Sequence, residues 1–300
     1  MEDLYLAPLP DLGLITVAGS DAATLLQGQL CGDVATITAT QSLYTALNSP
    51  KGRMLATLDL WQQPPGYWLG LHRDMVKTTA DRLRLFVLRS DVRIDTLDSA
   101  PHVRALMGAQ ALDWLGGRGW PIPAAPFAVT EVAGLRIARR PGDTPRFLLL
   151  GDPSLIAALP VRRADSLATA WQRADIEAGV ATVYPATRDH FIPQMAGLDR
   201  LGGISFTKGC YTGQEVIARL HYLGQAKRSA YRASCTAVAS PGDPVHLADG
   251  GTAGEVVDAC EDGPHQRLLL VLQDAMAGAA LQVNGQSLFD LQPVSGQAPG

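Results

Sequence analysis

From about residue 227 onward the chain carries strand-forming runs at 228–236, 244–248, 253–259, 267–272, 280–283 and 287–291. They are broken by Asp249-Gly250-Gly251, Glu261-Asp262-Gly263-Pro264 and Asn284-Gly285. Short extended runs divided by Gly, Asp, Asn and Pro leave no length for a helix and fold neighbouring strands back on one another, which confines this stretch to a small all-β sandwich or barrel. The upstream sequence is of another kind, so a boundary is expected near residue 226. It separates a region 1–226 from a C-terminal domain 227–300.

The upstream region reads as mixed α and β. Leu14–Val17 is strand-like, and Ser20 or Asp21 can cap a helix running to about Leu30. Runs at 42–47, 53–61 and 67–71 are separated by Asn48-Ser49-Pro50-Lys51-Gly52 and Gln63-Pro64-Pro65-Gly66, the pattern of an antiparallel meander. A helix over about 75–86 with Asp74 as cap precedes a strand at 92–96. Residues 116–126 form a loop, and 127–132 pairs with 135–138 across Ala133-Gly134. A strand at 147–150 and a short helix at 154–159 follow. The helix from Asp165 to Ala178 stops at Gly179, which supplies the left-handed terminal residue. Residues 182–203 are loop-rich.

Composition narrows the class. The chain has 300 residues, 47% hydrophobic and 18% charged, which is globular and corresponds to two or three domains of about 100–200 residues each. Lys+Arg 25 against Asp+Glu 29 gives −4, which disfavours a molecule-wide basic field for long nucleic acid. The four cysteines, at 31, 210, 235 and 260, make no CxxC pair, and the six histidines are scattered, so no metal centre is expected and the thiols are read as reduced. The opening Met1-Glu2-Asp3-Leu4 has no basic or apolar leader character, and apolar runs such as 268–272 are far too short to span a bilayer. A cytoplasmic protein without a membrane partner is expected.

The densest chemistry lies in Lys208-Gly209-Cys210-Tyr211-Thr212-Gly213-Gln214-Glu215. Thr212 and Glu215 have the spacing of a capping box, placed before the apolar Val216, Ile217 and Leu220. Cys210 then stands just ahead of a helix N-terminus, with Lys208 close in sequence, and both would favour a thiolate. Gly209 and Gly213 permit positive φ or close backbone approach. Cys210 can equally be a small buried hydrophobe. A Cys/His pair with His190 or His221 lacks any local context. Tyr211 reads either as a partner contact or as packing at the helix start.

At this motif the chain resembles the YgfZ family, folate-binding proteins related to the aminomethyltransferase (T-protein) of glycine cleavage. The family pattern K-G-C-[YF]-x-G-Q-E is matched at every fixed position, and Arg219 matches an arginine in the helix that follows. Ser20-Asp21-Ala22 with Leu26–Leu30 and Asp33-Val34, Asn48 with Pro50–Arg53, Ile176–Gly179, Phe191–Gln194 and Gly203–Phe206 match further blocks in order. The resemblance implies an α+β, T-protein-like (GcvT-like) fold of interleaved subdomains with a C-terminal small β-barrel. It implies tetrahydrofolate or a one-carbon derivative as cofactor, iron–sulfur enzymes or their assembly proteins as partners, and an indirect effect on tRNA modification without direct nucleic-acid binding. Glu177 matches the T-protein glutamate that grips the donor edge of the pterin, a bidentate charge-assisted contact. Asn48, Lys51, Arg53 and Gln194 are the further cofactor-binding candidates. Cys210 is the candidate reactive thiolate, supported by Lys208 and Arg219.

One departure bears on catalysis. Where T-proteins carry a general-base Asp, this chain reads Met54-Leu55-Ala56-Thr57, and aliphatic side chains move no proton. Whether it is an enzyme therefore stays open. The rivals are a one-carbon transferase with its base elsewhere, such as Asp59 or Asp33, and a non-catalytic protein-binding scaffold.

Overall fold

The computed structural model describes residues 4–224 and 227–294. The boundary expected near residue 226 meets Gln225 and Ala226, which lie outside the described residues, as do Met1, Glu2 and Asp3 of the leader reading. Six α-helices are present among the described residues: α1 (Ala22–Gln29), α2 (Val76–Arg84), α3 (Ala111–Gly116), α4 (Pro153–Ala157), α5 (Ala164–Ala178) and α6 (Gln214–Leu223). The chain forms two compact units, each from discontinuous segments: Met1–Leu26, Val34–Tyr44 and Leu58–Ala174 in one, Gln27–Asp33, Thr45–Thr57 and Asp175–Gly300 in the other.

Three sheets carry the fold. In one, the strands run in the order Leu43–Asn48, Met54–Gln63, Gly66–His72, Leu12–Ala18 and Arg93–Leu97, so the meander is present and its last strand pairs back onto the N-terminal one. A second sheet, of Tyr5–Ala7, Val103–Met107, Arg146–Leu150, Leu135–Arg139 and Val129–Val132, lies wholly within the first unit. Leu167 and Trp171 of α5 join Val103, Ala105, Leu148 and Leu150 in one core. Arg146 has no exposed surface. Its guanidinium donates to the carbonyls of Pro141, Trp171 and Ala174 at 2.7, 3.2 and 3.1 Å and lies over the Trp171 ring. A buried arginine is tolerated on such terms because its fork of donors is used on backbone carbonyls.

In the second unit, seven strands follow the order Gln286–Ser287, Leu281–Val283, Pro244–Leu247, Thr252–Asp262, His265–Gln273, Arg228–Cys235 and Phe289–Pro293. The two edge strands are separated in sequence by Leu288 alone. A flat seven-stranded sheet would hold its edges roughly 29 Å apart at about 4.8 Å per strand, so this sheet must curl into a half-barrel. Ala233, Val256, Leu268, Leu270 and Leu272 fill its concave side.

The structure corrects several expectations. α2 begins at Val76 after a short 3-10 turn, and Met75, not Asp74, stands at its N-cap without a side-chain bond. The run expected at 287–291 falls on two strands, because the chain changes from one edge of the sheet to the other at Leu288. Strands Tyr5–Ala7 and Val103–Met107 and helix α3 were not anticipated. α5 ends as expected: Gly179 has φ 64, its N–H bonds to Ile176 O, and Val180 N–H bonds back to Asp175 O at 2.8 Å.

Candidate functional site

The strand Leu43–Asn48 enters a tight turn in which Ser49 N–H donates to Arg53 O and Gly52 N–H to Ser49 O, at 2.8 and 2.9 Å. The turn is seated on the start of α6. A Cβ at Gly213 would lie 2.5 Å from Ser49 O and 2.9 Å from Gly52 Cα, while one at Gly52 would lie 2.9 Å from Val216 Cβ. Both glycines have positive φ, 71° at Gly52 and 83° at Gly213. These two positions demand glycine twice over, by conformation and by space. The Asn48–Arg53 turn and the Lys208–Glu215 motif are therefore one construction. Phe191–Gln194 joins it: Met54 N–H bonds to Phe191 O, the Arg53 guanidinium donates to His190 O, and Gln194 Nε2 donates to Ile217 O at 2.7 Å.

The capping box is not formed. Gly213 occupies the N-cap in the left-handed region without a side-chain bond, and α6 starts at Gln214. The Thr212 hydroxyl instead faces Gln29 Oε1 at 3.3 Å, Gln214 Oε1 accepts from Tyr211 N–H, and Glu215 is exposed. The left-handed residue turns the chain so that Thr212 faces α1 rather than the amides of α6. Cys210 thus stands one residue further from the helix start than the sequence spacing implied.

Lys208 folds away from solvent. Its ammonium donates to Gln27 O, Leu30 O and Gly32 O at 2.7, 2.7 and 2.8 Å, and its Nζ lies 4.8 Å from the centre of the Tyr211 ring. Burial lowers its pKa to about 8. Cys210 itself is exposed, whereas Cys31, Cys235 and Cys260 are buried. Cys31 Sγ lies 3.4 Å from both Thr45 Oγ1 and Gly203 O, and burial pushes the Cys235 thiol up.

Several polar groups at this junction are buried without a hydrogen-bond partner among the described residues: Asn48 Nδ2 and Oδ1, Ser49 Oγ, Gln194 Oε1 and Tyr211 Oη. Asn48 has no exposed surface at all. Buried amides normally find partners, so an amide with both ends unpaired marks a place built for something else to bond. Burial also pushes the Tyr211 hydroxyl up, which keeps it a neutral donor.

Glu177 is held elsewhere. Arg267 Nε donates to Oε1 at 2.6 Å and Arg232 Nη1 to Oε2 at 3.1 Å, and Arg232 also bonds to the Glu177 carbonyl at 2.8 Å. Its bonds are with these strands of the half-barrel, not with the Asn48 turn. Lys51 and Arg219 are exposed. Of the alternative bases, Asp59 is paired with Arg140 and Asp33 accepts from Gln27 Nε2 at 2.8 Å. Leu55 and Ala56 are buried within their strand. No cluster of three metal-ligating side chains occurs among the described residues, and no helix there is long and apolar enough to cross a membrane. Sequence reasoning missed Arg232, Arg267, Thr45 and the carbonyls of 27–32, since backbone acceptors and isolated strand arginines carry no local signal.

No family model matches the chain. It is 32% identical over 304 residues to the tRNA-modifying protein YgfZ of Sodalis glossinidius, covering 97% of this chain and 92% of the relative. The protein of the same name from Yersinia pestis (strain Pestoides F) is 33% identical over 232 residues, 76% of this chain and 70% of the relative. That of Colwellia psychrerythraea is 29% identical over 233 residues, 77% and 72%. Among solved structures, the glycine cleavage system aminomethyltransferase T from Bartonella henselae superposes with a TM-score of 0.73 at 18% identity, covering 98% of this chain and 86% of that one. The fold is accordingly that of the T-proteins.

Proposed function

The chain belongs to the YgfZ family, and from that premise we propose that it is a cytoplasmic tetrahydrofolate-binding protein acting in the assembly or repair of iron–sulfur enzymes, and through them in tRNA modification. The observation that carries the folate reading is the Asn48 amide, buried with both ends unpaired beside the Gly52–Gly213 junction. A pterin presents N–H donors next to a carbonyl acceptor, and a carboxamide complements such an edge with its own donor and acceptor. Tyr211 Oη and Gln194 Oε1 supply a further donor and acceptor of the kind a polar heterocycle consumes on burial. These residues fit the cofactor. When bound, tetrahydrofolate would supply its N5 and N10 nitrogens as the carriers of a one-carbon unit. The chain's own contribution is to bury and orient the heterocycle and to present the exposed Cys210 thiol on the adjoining loop. Lys51 and Arg53, on the turn, are the cations for the folate glutamate carboxylates.

Glu177 stays a candidate for the pterin N–H donors, in competition with Arg232 and Arg267. That occupancy is also the observation that favours the second reading, a scaffold that works through protein contacts without folate. Aminomethyl transfer is not favoured, because buried Leu55 and Ala56 stand where the base would be and Asp59 is committed to Arg140.

Anaerobic calorimetric titration of the native protein with tetrahydrofolate decides between the readings. The folate reading expects a single site with a dissociation constant on the order of micromolar, about −8 kcal/mol. Absence of binding heat across several temperatures would leave the scaffold standing.

A further inference from the structure

Between Ser205 and Thr212 the chain covers the C-terminal end of α1. Ser205 N–H donates to Cys31 O at 2.8 Å, Thr212 N–H to Gly28 O at 3.1 Å, and Lys208 Nζ to the carbonyls of Gln27, Leu30 and Gly32. The last carbonyls of a helix have no partner within it and carry its partial negative charge. An ammonium has three donors, and here each meets one carbonyl at 2.7–2.8 Å: Gln27 O in the last turn of α1, and Leu30 O and Gly32 O in the segment just after it. Lys208 and Thr212 thus form two feet on α1, and Gly209 and Cys210, both exposed, lie on the span between them. A Cβ at Gly209 would meet nothing within 4 Å, so the span faces open space on that side.

We propose that Lys208 is a positioning residue: it holds the arch that presents Cys210, and its charge is spent on the carbonyls at and just after the end of α1 rather than on stabilising the thiolate. This rests on Cys210 being the reactive group of the site. Two properties separate position from charge. A cation that stabilised the thiolate would lower the pH at which Cys210 begins to react, and arginine would replace lysine. A three-donor anchor would leave that pH alone, and arginine would fail, because a planar guanidinium cannot send donors to three carbonyls converging on one nitrogen.

The test is the pH profile of Cys210 alkylation by iodoacetamide, resolved by mass spectrometry, in the native protein, Lys208→Met and Lys208→Arg, with amide exchange at Ser205 and Thr212 measured in each. If Cys210 in the native protein reacts no faster than the three buried cysteines, the reading of it as the reactive group fails, whatever the variants do. The proposal expects both variants to keep the native midpoint and, at pH 7, where Lys208 is still an ammonium, to raise the alkylation rate at least about threefold and to speed exchange at both amides about tenfold or more as the arch loosens. A midpoint raised in Lys208→Met and restored in Lys208→Arg would overturn it, as would unchanged exchange in both. Should either variant unfold, Lys208→Ala with added propylammonium serves. Recovery of slow exchange with propylammonium, and none with tetramethylammonium, which has no N–H, supports the anchor. Equal recovery with both cations, or none with either, overturns it.

Discussion

Asn48 lies wholly inside the protein at the end of its strand, and both atoms of its amide are without a partner among the described residues. Leaving such a group unpaired costs about 1–3 kcal/mol. Asn48→Leu, with the same heavy-atom branching and no polar atom, is therefore expected to hold or raise stability by up to about 2 kcal/mol in denaturant unfolding while weakening tetrahydrofolate at least about tenfold. Equal loss of both would make Asn48 a structural residue. Lys208 gives a pH signature of its own. Its folded pKa, about 8, lies below the ordinary 10.5, so between those values the folded state holds fewer protons than the unfolded one, and stability rises with pH. Tyr211, pushed up by burial, acts in the opposite sense from about pH 10, the ordinary tyrosine value. The stability difference between native protein and Lys208→Met should accordingly climb in favour of the native protein from pH 8 to 10, and a flat difference would contradict the burial of the ammonium.

The element that binds the site together is the start of α6. Its sequence advertised a Thr–Glu capping box, and what the fold uses is a left-handed glycine pressed onto a second glycine of the Asn48–Arg53 turn. The motif letters were legible, but not which of them would act, because a contact across about 160 residues leaves no periodicity. Gly213→Ala places a side chain in a positive-φ position and within 2.5 Å of Ser49 O. A loss of about 2–4 kcal/mol follows, with α6 and the 48–53 turn loosening together in amide exchange. Loosening of α6 alone would deny that the two are one construction. The end of α5 shows the opposite case: Gly179 closes the helix as the sequence indicated, because a helix stop is set by local backbone conformation.

Across the whole chain, what the sequence made legible were the strands and helices with strong periodicity and clear punctuation: the meander, the hairpin at Ala133-Gly134, α5 and the short strands after residue 227. The strand Val103–Met107 carries no local signal, because its extended state is set by pairing with Tyr5–Ala7 and Arg146–Leu150, far away in sequence. Within the second unit, the residues proposed for the site divide in the same way. Asn48, Arg53, Gln194 and the 208–215 motif come together, whereas Glu177 turns to Arg232 and Arg267, two arginines on paired strands whose sequence gave no sign of a carboxylate partner. On the proposed reading, tetrahydrofolate is held at the Asn48–Gly213 junction. The most direct test is amide hydrogen exchange of the native protein with and without saturating tetrahydrofolate, resolved to short peptides. Added protection is expected in 46–54 and 208–217, with the outer strands of the half-barrel unchanged. Saturated ligand with protection confined elsewhere, or with none in those two segments, would contradict it.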